Sequence, residues 1–270
     1  MSIQMSPIRL TPAVKGLLIG CIAMFIIQQS VDRFLGGNLL GWLGLIPSGF
    51  VMGFRFWQIV TYVFLHGDVS HILMNMLMLA FVGGELEVIW GTRRFLQYFF
   101  TCSTAAGLLY LAFQLLLWRE SGLNQPLVGA SGGIFGLLVA YGLIFADRTL
   151  LFMMIFPMKA RHFVLVLAGV EFFTTVFSPT GGGMLSGIAH LGGMGAGFIS
   201  LWLRASAKIK AKAGKSGAGL KFPTLGKKKA GGGHLKLVVN QPRKGAFGKS
   251  SSDDDTDGPG GGQGNPPVWH

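Results

Sequence analysis

The sequence predicts an all-α membrane protein: a compact bundle of six transmembrane helices followed by a disordered basic tail. Of its 270 residues, 50% are hydrophobic and only 13% are charged. The mean hydropathy of +0.52 is too high for a soluble domain of this size. Apolar stretches of about 20 residues, the length that spans a bilayer core as a helix, occur at 14–31, 70–90, 95–118, 128–146, 161–177 and 187–204.

These stretches form one domain, which we assign to residues 1–204. A loop over residues 32–69 is rich in Gly, Trp and Phe. We expect it to dip into the outer leaflet, because aromatic rings are favoured at the level of the lipid headgroups. The apolar segment at 148–158 is short and contains Pro157. We interpret it as an interfacial segment or a lead-in to the fifth helix.

Positive charges predict the orientation, because cytoplasmic loops carry an excess of Lys and Arg. With the N-terminus inside, the inner segments hold Arg9, Lys15, Arg93, Arg94, Arg148, Lys159 and Arg161, whereas the outer loops hold Arg33, Arg55 and Arg119. We therefore predict a multi-pass integral membrane protein with both termini in the cytoplasm. We expect it in the plasma membrane of a prokaryote.

Residues 205–270 differ from the rest in composition. Gly, Lys and Ala dominate first, and an Asp-rich run and a Gly- and Pro-rich end follow. Such a composition predicts a disordered cytoplasmic tail. Its lysines suit contact with anionic lipid, whereas binding of nucleic acid is not expected, because no folded binding module accompanies the charge. The sequence gives no sign of the oligomeric state.

Ser131 is a candidate nucleophile. It stands in a Gly-Ala-Ser-Gly-Gly segment at the outer start of the fourth helix, where free backbone N–H groups stabilise a developing oxyanion. The alternative is a serine that only caps or packs a membrane helix. The segment also fits the G-x-S-x-G pattern of soluble hydrolases, but that motif requires a preceding strand, and none is predicted here.

His190 is the candidate general base. It is expected near the outer third of the sixth helix, at the depth of Ser131. Gly193 and Gly197 share its helical face, and Gly132 adjoins Ser131. Such small residues let two helices approach closely, as a hydrogen bond between serine and imidazole requires. The alternative is a structural histidine that binds a backbone carbonyl.

His71 and Asn75 lie four residues apart, hence on one face of the second helix. With the Ser131 amide, their side chains would complete an oxyanion hole. A metal site is not expected, because a third ligand and an HExxH glutamate are missing. Cys21 and Cys102 fall in different helices and form neither a disulfide framework nor a zinc spacing. We therefore predict no metal and no cofactor.

The acid of a catalytic triad has two candidates, since Asp147 and Glu171 are the only carboxylates between Ser131 and His190. Asp147 is expected at the cytoplasmic end, far from the serine. Glu171 falls at mid-depth in the fifth helix, where it can equally bind neighbouring helices or be protonated. We therefore expect a dyad, and we expect Glu171→Gln to retain activity.

Four motifs resemble those of the rhomboid family of intramembrane serine proteases, in the family's order, over residues of roughly 10–204. They are HGDVSHILMN (66–75), GGELE with WGTRRF (83–87 and 90–95), GASGGIFG (129–136) and AHLGGMGAG (189–197). The resemblance implies a Ser–His dyad at Ser131 and His190, with oxyanion contacts from His71, Asn75 and the Ser131 amide.

The resemblance also implies that Gly129 shapes the turn before the nucleophile and that His66 supports the outer loop. Some family members have Trp-Arg where this chain has Trp57-Gln58, and a tyrosine beneath the histidine where this chain has Phe135.

The function implied is that of a serine endopeptidase, which cleaves transmembrane segments of single-pass membrane proteins through an acyl-enzyme. One alternative is an inactive rhomboid-like protein that binds membrane clients, although such proteins usually lack the serine or the histidine. A transporter would need charged or broken helices in paired halves, and only Glu171 fits that pattern.

Overall fold

The computed structural model of the protein describes residues 9–117, 123–152, 156–177 and 181–215. The elements in chain order are α1 Pro12–Phe34, α2 Leu39–Leu43, α3 Pro47–Val51, α4 Gln58–Thr61 with a 3₁₀ turn Tyr62–Phe64, α5 Val69–Met78, a π-helical turn Leu79–Gly83, α6 Gly84–Trp90, α7 Thr92–Leu117, α8 Ser131–Ile144, β1 Thr149–Phe152, β2 Phe156–Lys159, α9 Ala160–Phe177 and α10 Gly181–Lys215.

The predicted helical membrane bundle is confirmed. Each of the six apolar stretches contains a helix in the structure. Five are long and apolar enough to cross a membrane, at Pro12–Phe34, Val69–Trp90, Thr92–Leu116, Ala160–Phe177 and Met184–Ala207. The second of these spans is continuous from α5 to α6 through the π-helical turn.

The fourth apolar helix, α8, is shorter than a full span. It has 14 residues and is therefore about 21 Å long, against a hydrocarbon core of about 30 Å. It is also the most enclosed helix, with all but four of its residues buried. Because α8 cannot reach both surfaces of the bilayer core, at least one of its ends lies at membrane depth, inside the protein.

The segment predicted as interfacial or as a lead-in to the fifth helix is a β-hairpin. Strands β1 and β2 pair antiparallel, with Thr149 opposite Lys159, and β2 runs directly into α9. Among the described residues, the bundle is therefore all-α except for this hairpin and an isolated β-bridge between Leu45 and Leu127. Asp147 forms two ion pairs at the end of the hairpin. One of its carboxylate oxygens lies 3.1 Å from Lys159 Nζ and 3.3 Å from Arg161 Nη1. These two cations lower the pKa of the exposed Asp147 carboxyl, with the hydrogen bond from Lys159 as the main cause.

The outer loop between α1 and α5 carries an exposed aromatic cluster. Trp42 and Trp57 stack with their ring centroids 6.5 Å apart, and the Arg55 guanidinium lies 4.5 Å above the Trp42 ring. Beneath them, the fully buried Gln58 amide donates to the Gly41 and Trp42 carbonyls at 3.2 and 3.3 Å. Gln58 thus ties α2 to α4.

The last helix runs past the predicted domain boundary at residue 204 and ends at Lys215. The first eleven residues that we assigned to the tail, 205–215, are therefore helical. The predicted disorder of the remaining tail concerns residues 216–270, which lie outside the described residues.

Glu87, which is only 3% exposed, anchors the start of α1. Its carboxylate oxygens accept hydrogen bonds from the backbone N–H groups of Ala13 at 3.0 Å and Val14 at 3.1 Å, and from the hydroxyls of Thr11 and Thr92. A negative charge at a helix N-terminus satisfies free donors and complements the helix dipole. The α1–α6 contact therefore depends on one carboxylate.

We expect Glu87→Ala to lower the free energy of unfolding by about 2 kcal/mol, because several buried donors lose their acceptor. Equilibrium unfolding of the full chain in detergent measures this change. The matched control is Asp147→Ala, which removes an exposed carboxylate and should change stability little. Equal effects of the two substitutions would contradict the anchoring role of Glu87.

Candidate active site

Ser131 is the first residue of α8 and follows a tight turn at Gly129. Gly129 has a φ of +114°, a conformation that only glycine adopts without strain. Its N–H donates to the Tyr62 carbonyl at 2.9 Å, and Leu127 exchanges two backbone hydrogen bonds with Leu45. The segment before Ser131 is therefore held against the outer loop by its backbone.

His190 lies beside Ser131, although the two residues are 59 positions apart in the chain. Its Nε2 is 2.8 Å from Ser131 Oγ, within hydrogen-bond distance. Both side chains project from apolar helices, Ser131 from α8 and His190 from α10. The residues that we singled out as nucleophile and base are thus in direct contact.

Glycines permit this contact, because α8 and α10 touch backbone to backbone. A Cβ atom at Gly193 would overlap the carbonyl group of Gly132, and a Cβ at Gly197 would lie 3.1 Å from the Gly136 Cα and carbonyl oxygen. Any larger side chain at these positions would separate the two helices. The small faces expected from the sequence therefore meet in the structure.

The imidazole of His190 also packs face to face on a phenyl ring. The centroids of Phe135 and His190 are 4.2 Å apart, and the ring planes differ by 9°. Phe135 follows Ser131 by one helical turn, so the same face of α8 supplies the serine and the ring support. The phenyl ring therefore supports the imidazole without supplying a hydroxyl.

Glu171 contacts the other nitrogen of the same imidazole. Its Oε2 lies 3.0 Å from His190 Nδ1, and the side chains of Glu171 and His190 are 18% and 16% exposed. The sequence favoured a dyad and left the role of Glu171 open, and in the structure the carboxylate of Glu171 contacts the histidine of that dyad. The sequence offered one signal, because a carboxylate within an apolar helix marks a functional site by default. The sequence pattern of α9 did not show towards which neighbouring helix the Glu171 side chain points.

His71 and Asn75 face the turn before Ser131. A Cβ atom at Gly129 would lie 2.7 Å from His71 Nε2 and 3.5 Å from Asn75 Nδ2. Asn75 is buried, and its Nδ2 has no hydrogen-bond partner within the described part of the chain. A free donor thus stands beside the turn that precedes the serine. Asp68 caps α5 upstream by accepting from the His71 N–H at 2.8 Å.

His66 is fully buried in the outer loop. The Gln28 side chain holds its backbone through two hydrogen bonds of 3.2 Å, and its ring stands edge-on to His71 with centroids 5.1 Å apart. Burial, together with a smaller effect of the nearby His71, lowers the pKa of His66 to about 4, so its ring is neutral at physiological pH. His66 thus supports the ring of His71.

Other chemistry at this site has less structural support. Over the described ranges, no group of three or more His, Cys, Asp or Glu residues is placed to hold a metal ion. Cys21 and Cys102 are free and buried. The residues that converge are those around Ser131, and Asp147 lies apart from them in the ion pairs of the hairpin.

The fold and the site together define a multi-pass membrane protein that encloses a serine–histidine pair within its helices. Residues 53–207, more than half of the chain, match the Rhomboid domain. The chain therefore belongs to the rhomboid family, which confirms the resemblance seen in its motifs.

Three relatives illustrate how low the sequence identity between this chain and other family members is. The chain is 33% identical to RHOMBOID-like protein 4 of Arabidopsis thaliana over 166 residues, which cover 58% of this chain and 36% of that protein. It is 30% identical to Rhomboid-related protein 2 of Mus musculus over 151 residues, covering 52% and 45%. It is also 30% identical to Rhomboid-like protease 3 of Toxoplasma gondii over 119 residues, covering 43% and 42%. The chain spans less than half the length of each.

We expect Gly193→Ala to lower the free energy of unfolding by about 2 kcal/mol, because the added methyl overpacks the α8–α10 contact. Equilibrium unfolding in detergent measures the change. Gly195→Ala is the matched control, because a Cβ there meets nothing within 4 Å, and alanine favours helix. A Gly193→Ala variant as stable as Gly195→Ala would show that the close contact is not needed.

Proposed function

We propose that this protein is an intramembrane serine endopeptidase that cleaves transmembrane segments of single-pass membrane proteins. The observation that carries the proposal is the 2.8 Å contact between His190 Nε2 and Ser131 Oγ inside a bundle of apolar helices. An adjacent general base is what activates a serine as a nucleophile. A serine that only caps its helix has no need of an imidazole at hydrogen-bond distance.

The reaction begins when Ser131 Oγ attacks the carbonyl carbon of the scissile peptide bond while its proton passes to His190 Nε2. The C=O bond opens to an oxyanion. As the tetrahedral intermediate collapses, the C–N bond breaks, and the imidazolium returns the proton to the leaving amine. The products of this half-reaction are an acyl-enzyme on Ser131 and the released amine fragment.

Water completes the cycle by the same route. His190 takes a proton from the water as the water oxygen attacks the acyl carbon, and the proton then returns to Ser131 Oγ as the ester bond breaks. The carboxylic acid fragment leaves, and the serine hydroxyl is restored. No cofactor enters any of these steps.

The oxyanion is met by donors that already stand at the turn before the serine. The Ser131 N–H lies at a helix start, where backbone donors lack helical partners. Asn75 Nδ2 is free among the described residues and lies near Gly129, together with His71 Nε2. Preorganised donors of this kind stabilise the transition state without reorganisation. In this proposal Gly129 and His66 position the turn and the ring of His71.

The proposed substrate follows from the surroundings of Ser131. A peptide bond inside a helix is shielded by its own hydrogen bonds, and lipid offers no other partners for an unwound backbone. The substrate is therefore a membrane-spanning segment that unwinds locally at the serine. Charge distribution supports cytoplasmic termini, with the site towards the outer leaflet of a prokaryotic plasma membrane.

We expect Ser131→Ala and His190→Ala to abolish cleavage, because the first removes the nucleophile and the second removes the base. The assay measures cleavage of a model single-pass membrane protein by the purified full chain in liposomes. Matched controls are Ser30→Ala, which alters a hydroxyl bonded within α1, and His162→Ala at the exposed start of α9. Both controls should cleave like the wild type.

An inert wild type would overturn the protease proposal. If that wild type nevertheless retained the model substrate on co-purification from liposomes, the client-binding alternative would replace it. Cleavage that survives Ser131→Ala would also overturn the assignment of the nucleophile.

We expect Asn75→Ala to lower kcat about 100-fold, the usual effect of removing one oxyanion donor, with KM changed little. Steady-state cleavage in liposomes gives both constants. Asn124→Ala is the matched control, since Asn124 contacts Ser48 in the exposed loops, and it should leave both constants unchanged. An unaltered kcat in Asn75→Ala would remove Asn75 from the oxyanion site.

A further inference from the structure

We propose that Glu171 is a positioning residue for His190, so that the site works as a Ser–His–Glu triad instead of a dyad; this inference rests on the proposed protease function. Its basis is the chain of contacts through one imidazole. Ser131 Oγ lies 2.8 Å from Nε2, and Glu171 Oε2 lies 3.0 Å from Nδ1. Three helices, α8, α10 and α9, supply one member each.

The arrangement selects one tautomer of the histidine. A neutral imidazole has one protonated and one unprotonated nitrogen. When Nδ1 donates to the Glu171 carboxylate, Nε2 is free to accept the Ser131 hydroxyl proton. The opposite tautomer would place a proton on Nε2 and would leave Nδ1 and the carboxylate as two facing acceptors. Glu171 therefore holds the histidine in the form that a general base requires.

Close packing of α9 against α10 fixes Glu171 in place. Gly187 lies one turn before His190, and a Cβ atom there would overlap the Thr175 hydroxyl on α9 and would lie 3.5 Å from the Glu171 carbonyl oxygen. Thr175 Oγ1 in turn donates to that carbonyl at 2.6 Å. Because residue 187 on α10 is a glycine, the turn of α9 that carries Glu171 can pack closely against α10.

The ring of His190 is consequently restrained on three sides. Phe135 covers one face at a centroid distance of 4.2 Å, and Ser131 and Glu171 hold the two nitrogens. The stack fixes the tilt of the ring, but a phenyl group accepts no proton and carries no charge. Of these three groups, the carboxylate is the one that fixes the proton on Nδ1 and stabilises the imidazolium that forms when Ser131 loses its proton.

The experiment compares Glu171→Gln and Glu171→Leu with the wild type for cleavage of the model single-pass substrate in liposomes. Gln keeps the shape and an acceptor oxygen but loses the charge, and we expect kcat to fall about 10-fold. Leu removes the acceptor as well, and we expect a fall of about 100-fold. KM should stay within about twofold of the wild type, because Glu171 contacts the side of the ring opposite Ser131.

Asp147→Asn is the matched control, because Asp147 is a carboxylate of the hairpin ion pairs, and it should cleave like the wild type. Labelling by a fluorophosphonate probe reports the reactivity of Ser131 without a protein substrate. The rate constant of labelling should be highest for the wild type, lower for Glu171→Gln and lowest for Glu171→Leu.

Several results would overturn the inference. If the wild type cleaves and Glu171→Gln and Glu171→Leu match its kcat and labelling rate, the site is a dyad, and the protease proposal stands alone. If kcat falls only in step with a lower melting temperature, Glu171 serves packing alone. An inert wild type would overturn the protease proposal and this inference together.

A measurement on the wild type keeps the inference testable even if both variants misfold. Spectra of ¹⁵N-histidine-labelled protein, with His190 assigned through its loss in His190→Ala, report which ring nitrogen carries the proton. Protonated Nδ1 with unprotonated Nε2 at neutral pH is the expected result. A proton on Nε2 would overturn the positioning role.

Discussion

The contact between the backbones of α8 and α10 is the constraint on which the rest of the site depends. Lipid provides no hydrophobic drive for helices to associate, so membrane helices rely on close packing and hydrogen bonds. A Cβ at Gly193 would overlap the carbonyl group of Gly132. Without that close contact, His190 would lie too far from Ser131 for a hydrogen bond, and it would no longer stack on Phe135. The spacing of α8 and α10 therefore also sets the contact between Ser131 and His190.

Polar groups within the bundle fall into two kinds. Most are matched to a partner that joins two elements: Glu87 holds the start of α1, and Gln28 holds the backbone of His66. Others, among them Asn75 and the ring of His66, are buried and have side-chain atoms without a hydrogen-bond partner in the part of the chain that the structure describes. An unsatisfied buried polar group is costly. These two lie around the turn that precedes Ser131, where a substrate carbonyl would use the free donor of Asn75.

The proposed chemistry depends on the close packing of α8 in the centre of the bundle. The nearly enclosed helix α8 carries Ser131 and Phe135 on a single turn. Its short length keeps one end of the helix away from the membrane surface, while the turn at Gly129 is fixed through Tyr62. In the proposed reaction, the serine, the imidazole and the oxyanion donors would thus be prearranged before a substrate arrives, which is the condition for electrostatic catalysis.

Sequence alone determined the six apolar helices, the serine at a helix start and the glycine faces beside Ser131 and His190, because hydropathy, spacing and intramembrane polarity are local properties. It did not determine that β1 and β2 pair, that α10 continues to Lys215, or that Glu171 contacts His190. Helix α9 is apolar around most of its circumference, so its pattern does not show which face meets α10. That choice depends on Gly187 fitting against Thr175, a contact between helices that only the tertiary structure decides.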